Sequence, residues 1–185
     1  MEALFAVASL RVGTKNIWIG LGANIPGTWG EPAVSLHRAM IELGNAGFHI
    51  FAHSPLYRTR ALGIGRQPAY LNMVIGMRKS IGPAQLLQLL KRLEREAGRR
   101  KRGHWQPRPL DLDILDFGGR VVGRPGRKRS EGLLLLPHPE LLRRGFALVP
   151  LAEVAAGWRH PLIGVGAREM LARAPHLARD VERCV

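Results

Sequence analysis

The segment Arg108-Pro109-Leu110-Asp111-Leu112-Asp113-Ile114 alternates acidic and aliphatic residues. In an extended strand, alternate side chains share a face. Asp111 and Asp113 then project together, while Leu110, Leu112 and Ile114 turn towards a core. Two residues span roughly 6.6 Å of strand, a reach that suits cations held about 3.5–4 Å apart. Two ionised carboxylates on one face repel each other, and a divalent cation removes that penalty. Hard oxygen donors favour Mg2+ over zinc or copper. The same alternation also describes an amphipathic surface strand with solvated acids, and spacing alone does not choose between the two.

The residues just upstream bear on that choice. Arg99, Arg100, Lys101, Arg102 and Arg108 precede the acid pair closely. Carboxylates able to hold metal beside arginines are equipment for a polyphosphate. Arg108 lies between two prolines, which keep its backbone extended and limit where the guanidinium can go. The planar fork of arginine suits bidentate contact with phosphate oxygens. Trp105 in the same loop has two readings, as a cover for a flat ring or as an anchor holding the loop to the core.

Composition narrows the classes. The chain has 185 residues, 46% of them apolar, a single cysteine and a net charge of +14. That fits one globular domain, expected over residues 16–185, with residues 1–15 a loose extension. Cys184 has no partner for an intrachain disulfide, which suits a reducing compartment. The aliphatic run Leu133–Leu136 is too short to span a bilayer, and Glu2 stands where a secretory signal carries basic residues. A cytoplasmic protein with no membrane partner is expected. The charge is concentrated: 91–108 holds eight basic and two acidic residues, and 120–129 five basic and none acidic. Concentrated positive charge attracts phosphates, whether of a nucleotide or of a nucleic acid. No P-loop signature, HExxH zinc motif or protein-kinase motif is present, and Gly20-Leu21-Gly22 lacks the third glycine of a dinucleotide fingerprint.

The elements that must position these residues follow from periodicity. Ile17–Ala23 is of strand length and ends in the turn-prone Gly22-Ala23-Asn24-Ile25-Pro26-Gly27. Pro32 opens a helical pattern with Ala33, Leu36, Met40 and Leu43 on one stripe, stopping near Gly44–Gly47. Phe48–Tyr57 and Tyr70–Met77 read as strands. Pro83 starts a helix with Leu86, Leu87, Leu90 and Leu93 in period and Gly98 after its end. Leu110–Phe117 reads as a strand, Gly145–Leu151 as a further strand and Gly164–Ala174 as a short helix. The order strand, helix, strand, strand, helix, strand is that of a split β-α-β unit, an α+β fold with an antiparallel-rich sheet and helices on one face.

With those residues in place, the chain resembles the 6-hydroxymethyl-7,8-dihydropterin pyrophosphokinase family from about Asn16 to Ala174. The resemblance rests on Gly22-Ala23-Asn24, Ser54-Pro55-Leu56-Tyr57-Arg58-Thr59, Gln67-Pro68-Ala69-Tyr70-Leu71-Asn72, Glu94 through Arg99, Trp105 through Asp113, Leu136-Pro137-His138-Pro139 and Arg144-Gly145-Phe146, in that order. It implies a ferredoxin-like fold and diphosphate transfer from ATP to the pterin alcohol in folate synthesis, with AMP leaving. It implies two Mg2+ ions on Asp111 and Asp113, with Arg99 and Arg108 clamping phosphates. Gly22, Thr59, Leu62, Tyr70, Asn72, Trp105 and Phe146 match pterin-site positions. Lys91, Glu94, Lys101, Trp105, Arg108, Ile114, His138 and Arg144 match the ATP site. Lys91 stands where relatives often carry glutamine, Arg60-Ala61 where they often carry two prolines, and Leu133 and Leu135 where many carry arginine and threonine. The basic insertion 123–129 reads either as a replacement for that charge from another direction or, the favoured reading, as a disordered loop.

The rival reading from another class is a nucleic-acid-binding ferredoxin-like module. It accounts for the basic loops but needs exposed aromatics on the sheet and no unshielded acids there. Aromatics are only 6% of the chain and no ribonucleoprotein motif appears. A monomer acting on two small molecules, without nucleic acid, is the expectation carried forward.

Overall fold

The computed structural model describes residues 15–61, 67–100, 106–123 and 134–184. Strand β1, Asn16–Ala23, runs through the middle of the sheet. Its odd-numbered residues Ile17, Ile19, Leu21 and Ala23 enter one core, while Trp18 enters a second core on the opposite face. Even-numbered Gly20 and Gly22 share that second face, so it carries little bulk towards the end of the strand.

Helix α1, Pro32–Asn45, begins with its proline in the first turn, where a missing N–H costs nothing. It buries Leu36, Ala39 and Leu43 against the first core. Phe48–Tyr57 does not form one strand. β2, His49–His53, and β3, Tyr57–Thr59, are separate and both pair with β4, Tyr70–Arg78. The break has a local cause: Ser54 Oγ takes the Val74 N–H at 3.0 Å in place of a backbone carbonyl, and Pro55 has no N–H to offer a ladder.

Helix α2, Pro83–Glu96, buries Leu86, Leu90 and Leu93 beside α1. Among the described residues β5, Asp111–Phe117, pairs with β1 alone, at an edge of the sheet. Helix α3, Gly145–Val154, occupies the segment expected to be a strand. A short apolar run carries no period to distinguish the two, and this one is buried on several sides. Pro150 lies inside α3 and has no N–H to give to the Phe146 carbonyl. Helix α4, Ala167–Arg173, follows, and a three-residue strand β6, Val181–Arg183, pairs with β3.

Among the described residues the strand pairings are all antiparallel, in the order β5-β1-β4-β3-β6 with β2 also on β4. α1 and α2 cover one face; α3 and α4 cover part of the other. The expectation of helices on one face is thus corrected: the second core needs its own cover, supplied by the segment read as a strand. The architecture is α+β and ferredoxin-like. No helix among the described residues is long and apolar enough to cross a membrane.

Candidate active site

Gly22 stands opposite Asp111 and Gly20 opposite Asp113 in the β1–β5 ladder. The two carboxylates therefore rise from one face of an edge strand beside two residues without side chains. Leu110, Leu112 and Ile114 are buried in the opposite core, as alternation requires. Ile114, a position matched to the ATP site, thus turns its side chain away from the face that carries Asp113. A bulge follows, where β5 spends one extra residue between Ile114 and Asp116. The carbonyl of Leu115 at that bulge accepts the His138 N–H at 3.0 Å. His138 is thereby brought beside Asp113, its Nε2 3.7 Å from Asp113 Oδ2. Glu140 N–H donates to His138 Nδ1 at 3.1 Å, which leaves the ring proton on Nε2, towards the carboxylate.

Among the described residues, three arginines converge on the two acids. α2 ends at Glu96, and Gly98 takes a left-handed φ of 97°, a conformation glycine adopts at little cost. The reversal sends Arg99 back over the helix, where its Nη1 lies 2.7 Å from Glu94 Oε1 and 2.5 Å from Asp111 Oδ1. Arg108 Nη1 takes the other Asp111 oxygen at 2.7 Å. Arg144, just before α3, reaches Asp113 Oδ2 at 3.3 Å and lies 5.6 Å from the centre of the Phe146 ring. The repulsion within the acid pair is therefore offset by guanidinium groups, not only by any metal ion. Burial disfavours the Arg108 cation, but Asp111 beside it outweighs that and raises its pKa.

Glu94 works from beneath. Its Oε1 accepts the Leu112 N–H at 2.9 Å, an outward-facing group of the edge strand, and lies 2.7 Å from Lys91 Nζ. Burial at 1% exposure lifts its pKa, while Lys91 and Arg99 pull the other way. Lys91, Glu94, Arg99, Asp111 and Arg108 thus form one continuous charged chain from α2 to β5.

The next group is neutral. Asn72, opposite both Gly22 and Tyr57, donates from Nδ2 to Thr59 Oγ1 at 2.8 Å. A Cβ on Gly22 would stand 3.0 Å from Asn72 Oδ1. Tyr70 is half-buried, and burial raises its phenol pKa. Thr59, Asn72, Tyr70 and Gly22 are brought together, with Asp111 and Arg108 close enough to bear on the Tyr70 phenol. Leu62, Lys101 and Trp105, all matched to substrate positions, lie outside the described residues, as do most of the basic insertion and residues 1–14.

In sequence Asn24 belongs to a turn and to the Gly22-Ala23-Asn24 motif, with no role of its own. It is 3% exposed and joins three segments. Its Oδ1 accepts the Arg108 N–H at 2.7 Å, its Nδ2 donates to the Pro68 carbonyl at 3.2 Å, and its own N–H donates to the Arg108 carbonyl at 3.0 Å. An asparagine directly after a strand was the available signal; its burial and partners were not.

A cavity of about 330 Å3 opens beside Thr59, lined also by Arg58, Ala61 and Gln67. A larger one of about 720 Å3 lies between Trp18, Phe51, Asp116 and Trp158, at the other end of the sheet. Chemistry is placed by the charged cluster, which the larger cavity does not include.

The sequence matches the family model for 7,8-dihydro-6-hydroxymethylpterin-pyrophosphokinase (HPPK) over residues 18–156. It is similar to 2-amino-4-hydroxy-6-hydroxymethyldihydropteridine pyrophosphokinase of Synechocystis, 39% identical over 79% of this chain and 69% of that protein. The enzyme of the same name from Haemophilus influenzae is 34% identical over 75% of this chain and 81% of that one. Among solved structures, a Plasmodium falciparum HPPK-DHPS with pterin and p-hydroxybenzoate superposes with a TM-score of 0.66 at 12% identity. That likeness concerns the fold; it covers 95% of this chain, which spans about half (48%) of the parasite protein. At such identity over such a span, the chain belongs to the 7,8-dihydro-6-hydroxymethylpterin-pyrophosphokinase family, diphosphotransferases of folate biosynthesis.

Proposed function

We propose that this chain binds ATP across Asp111, Asp113 and the three arginines, and passes its diphosphate to the hydroxymethyl oxygen of the dihydropterin. The observation that carries the assignment is the shared face of Asp111 and Asp113 with Arg99, Arg108 and Arg144 upon them. Among the described residues, no group of three or more His, Cys, Asp or Glu side chains could hold a metal. Two carboxylates on an edge strand fit magnesium, an ion that keeps waters and takes phosphate oxygens as remaining ligands. Two such ions on Asp111 and Asp113 would lower the pKa of the attacking hydroxyl and offset charge on the transferring group.

The residues of the chain do the rest. Arg99 and Arg108 exchange Asp111 for phosphate oxygens, and Arg144 does the same from Asp113. Their planar forks hold the triphosphate in line with the attacking oxygen. Lys91 and Glu94 lie towards the nucleotide, and His138 presents its Nε2 proton beside Asp113. Asn72 and Thr59 read the polar edge of the pterin, whose ring stacks against Phe146 and Tyr70. Gly22 leaves room for that ring, and Trp105, Leu62 and Lys101 contribute substrate contacts by the family positions they match. ATP binds first and closure precedes pterin capture. The domain is residues 16–185, acting as a monomer in the cytoplasm without a nucleic-acid partner.

Mixing the protein with ATP, Mg2+ and 6-hydroxymethyl-7,8-dihydropterin and separating the nucleotides tests the reaction. AMP is the expected product; ADP would mean transfer of one phosphoryl group and overturn the assignment.

A further inference from the structure

Helix α3 is apolar almost throughout. Hydrophobicity alone therefore gives it no preferred rotation or slide over the sheet. Polar contacts near its two ends supply that information. Before its first turn, Arg144 Nη1 reaches Asp113 Oδ2 at 3.3 Å. One residue before its end, Glu153 Oε2 accepts the hydroxyl of Tyr57 on β3. The other Glu153 oxygen lies 3.6 Å from Arg183 Nη2 on β6.

In the proposed complex the first contact would be given up, because Asp113 and Arg144 would both be claimed by the nucleotide and its metal. The second involves neither. Glu153 is seven residues from Phe146, two helical turns, so both lie on the same side of α3, about 10.5 Å apart. Tyr57 stands opposite Asn72 in the ladder and two residues from Thr59, on the same face of the sheet. The Tyr57–Glu153 bond therefore joins the strand bearing Thr59 to the helix bearing Phe146. Burial, then Glu153 itself, pushes the Tyr57 phenol up to about 12, so it remains the donor at any physiological pH.

We infer that Tyr57 and Glu153 are positioning residues for the pterin: their bond holds α3 against β3 and sets the gap between Phe146 and the Thr59–Asn72 pair. This rests on the pterin slot proposed above.

The test uses Tyr57→Phe, Glu153→Ala and Glu153→Gln in the full chain. Calorimetry measures 6-hydroxymethylpterin binding with a non-hydrolysable ATP analogue and Mg2+, and analogue binding alone. Tyr57→Phe and Glu153→Ala are expected to weaken pterin binding roughly three- to tenfold, the worth of one hydrogen bond. Analogue affinity should stay unchanged, and Glu153→Gln, whose amide oxygen still accepts, should restore pterin affinity. Unaltered pterin affinity in both disrupting variants overturns the inference. So does a parallel loss of both ligands with a lowered Tm, which marks a general structural role. Glu153 is exposed, so Glu153→Ala decides the matter if Tyr57→Phe does not fold. If the wild-type protein binds analogue but no pterin, the slot itself is wrong and both readings fall.

Discussion

Arg99 Nη1 sits 2.5 Å from Asp111 Oδ1, and with Arg108 on the other oxygen both acceptor atoms of that carboxylate are engaged. On the proposed reading, a divalent ion arriving there would compete with the two guanidinium groups for that carboxylate. A displaced group is not wasted, because the same nucleotide that brings phosphate-bound metal offers the arginine new oxygens. Such an exchange of partners would keep the charge balanced and link metal entry to nucleotide entry.

Asp111→Asn follows from that exchange. The amide keeps the shape and can still accept one guanidinium N–H, so Tm should hold. It loses most of its value as a metal ligand, and turnover should fall on the order of 10³-fold, as when a preorganised charge-stabilising group is removed. Steady-state AMP formation under saturating Mg2+ measures it; a variant retaining most of its rate rules out the metal assignment.

Asn24→Ala probes how Arg108 is held. The change leaves the Arg108 N–H and the Pro68 carbonyl without their side-chain partner. A buried group stripped of its partner costs about 1–3 kcal/mol. Misplacing a phosphate-clamping arginine by about 1 Å costs roughly 10²-fold in rate. We expect kcat/KM to fall by about that factor, with a modest loss of Tm. Urea titration beside kinetics separates the two, and a variant destabilised but fully active would show that Arg108 finds its place without Asn24.

Much of this was legible beforehand, for physical reasons. β5 alternates acid and aliphatic residues up to its bulge, and α1 and α2 carry wide apolar stripes, so period alone places Asp111 and Asp113 on one face. α3 was misread because an apolar run buried on several sides has no period. β2 and β3 were merged because the break is made by one serine hydroxyl bonding to Val74, 20 residues away. β6 is three residues long with two of them charged, and it exists only because β3 offers an edge. The Asn24 clamp joins residues 44 and 84 apart in sequence, which no local pattern encodes.

Gly22→Ala tests the neutral half of the site. The added methyl would stand 3.0 Å from Asn72 Oδ1, tight enough to push that amide away from its bond with Thr59. The KM for the pterin should rise several-fold, on the order of one hydrogen bond, with the KM for ATP nearly unchanged. An equal rise in both would place Gly22 in general packing rather than in the ring slot.

Asp116 offers a stability test outside the proposed chemistry. It is 3% exposed, next to Trp18 in the β1–β5 register, and burial raises its pKa from 3.8. The Gly119 N–H and the nearby Trp158 indole oppose that rise; the indole acts by proximity, since its buried Nε1 makes no hydrogen bond of good geometry. A folded-state pKa above the unfolded one means that the fold binds this proton more tightly. Its contribution to stability is complete below the unfolded value and is lost as pH rises through the folded one. At neutral pH the ionised group therefore works against folding. Asp116→Asn cannot ionise and retains an oxygen for the Gly119 N–H. The variant should match the wild type near pH 4 and become progressively the more stable of the two towards pH 7, with AMP formation unchanged. Urea midpoints across that range decide it: a stability difference that is flat, or that favours the wild type as pH rises, would mean the carboxylate is better solvated or better paired than its burial implies.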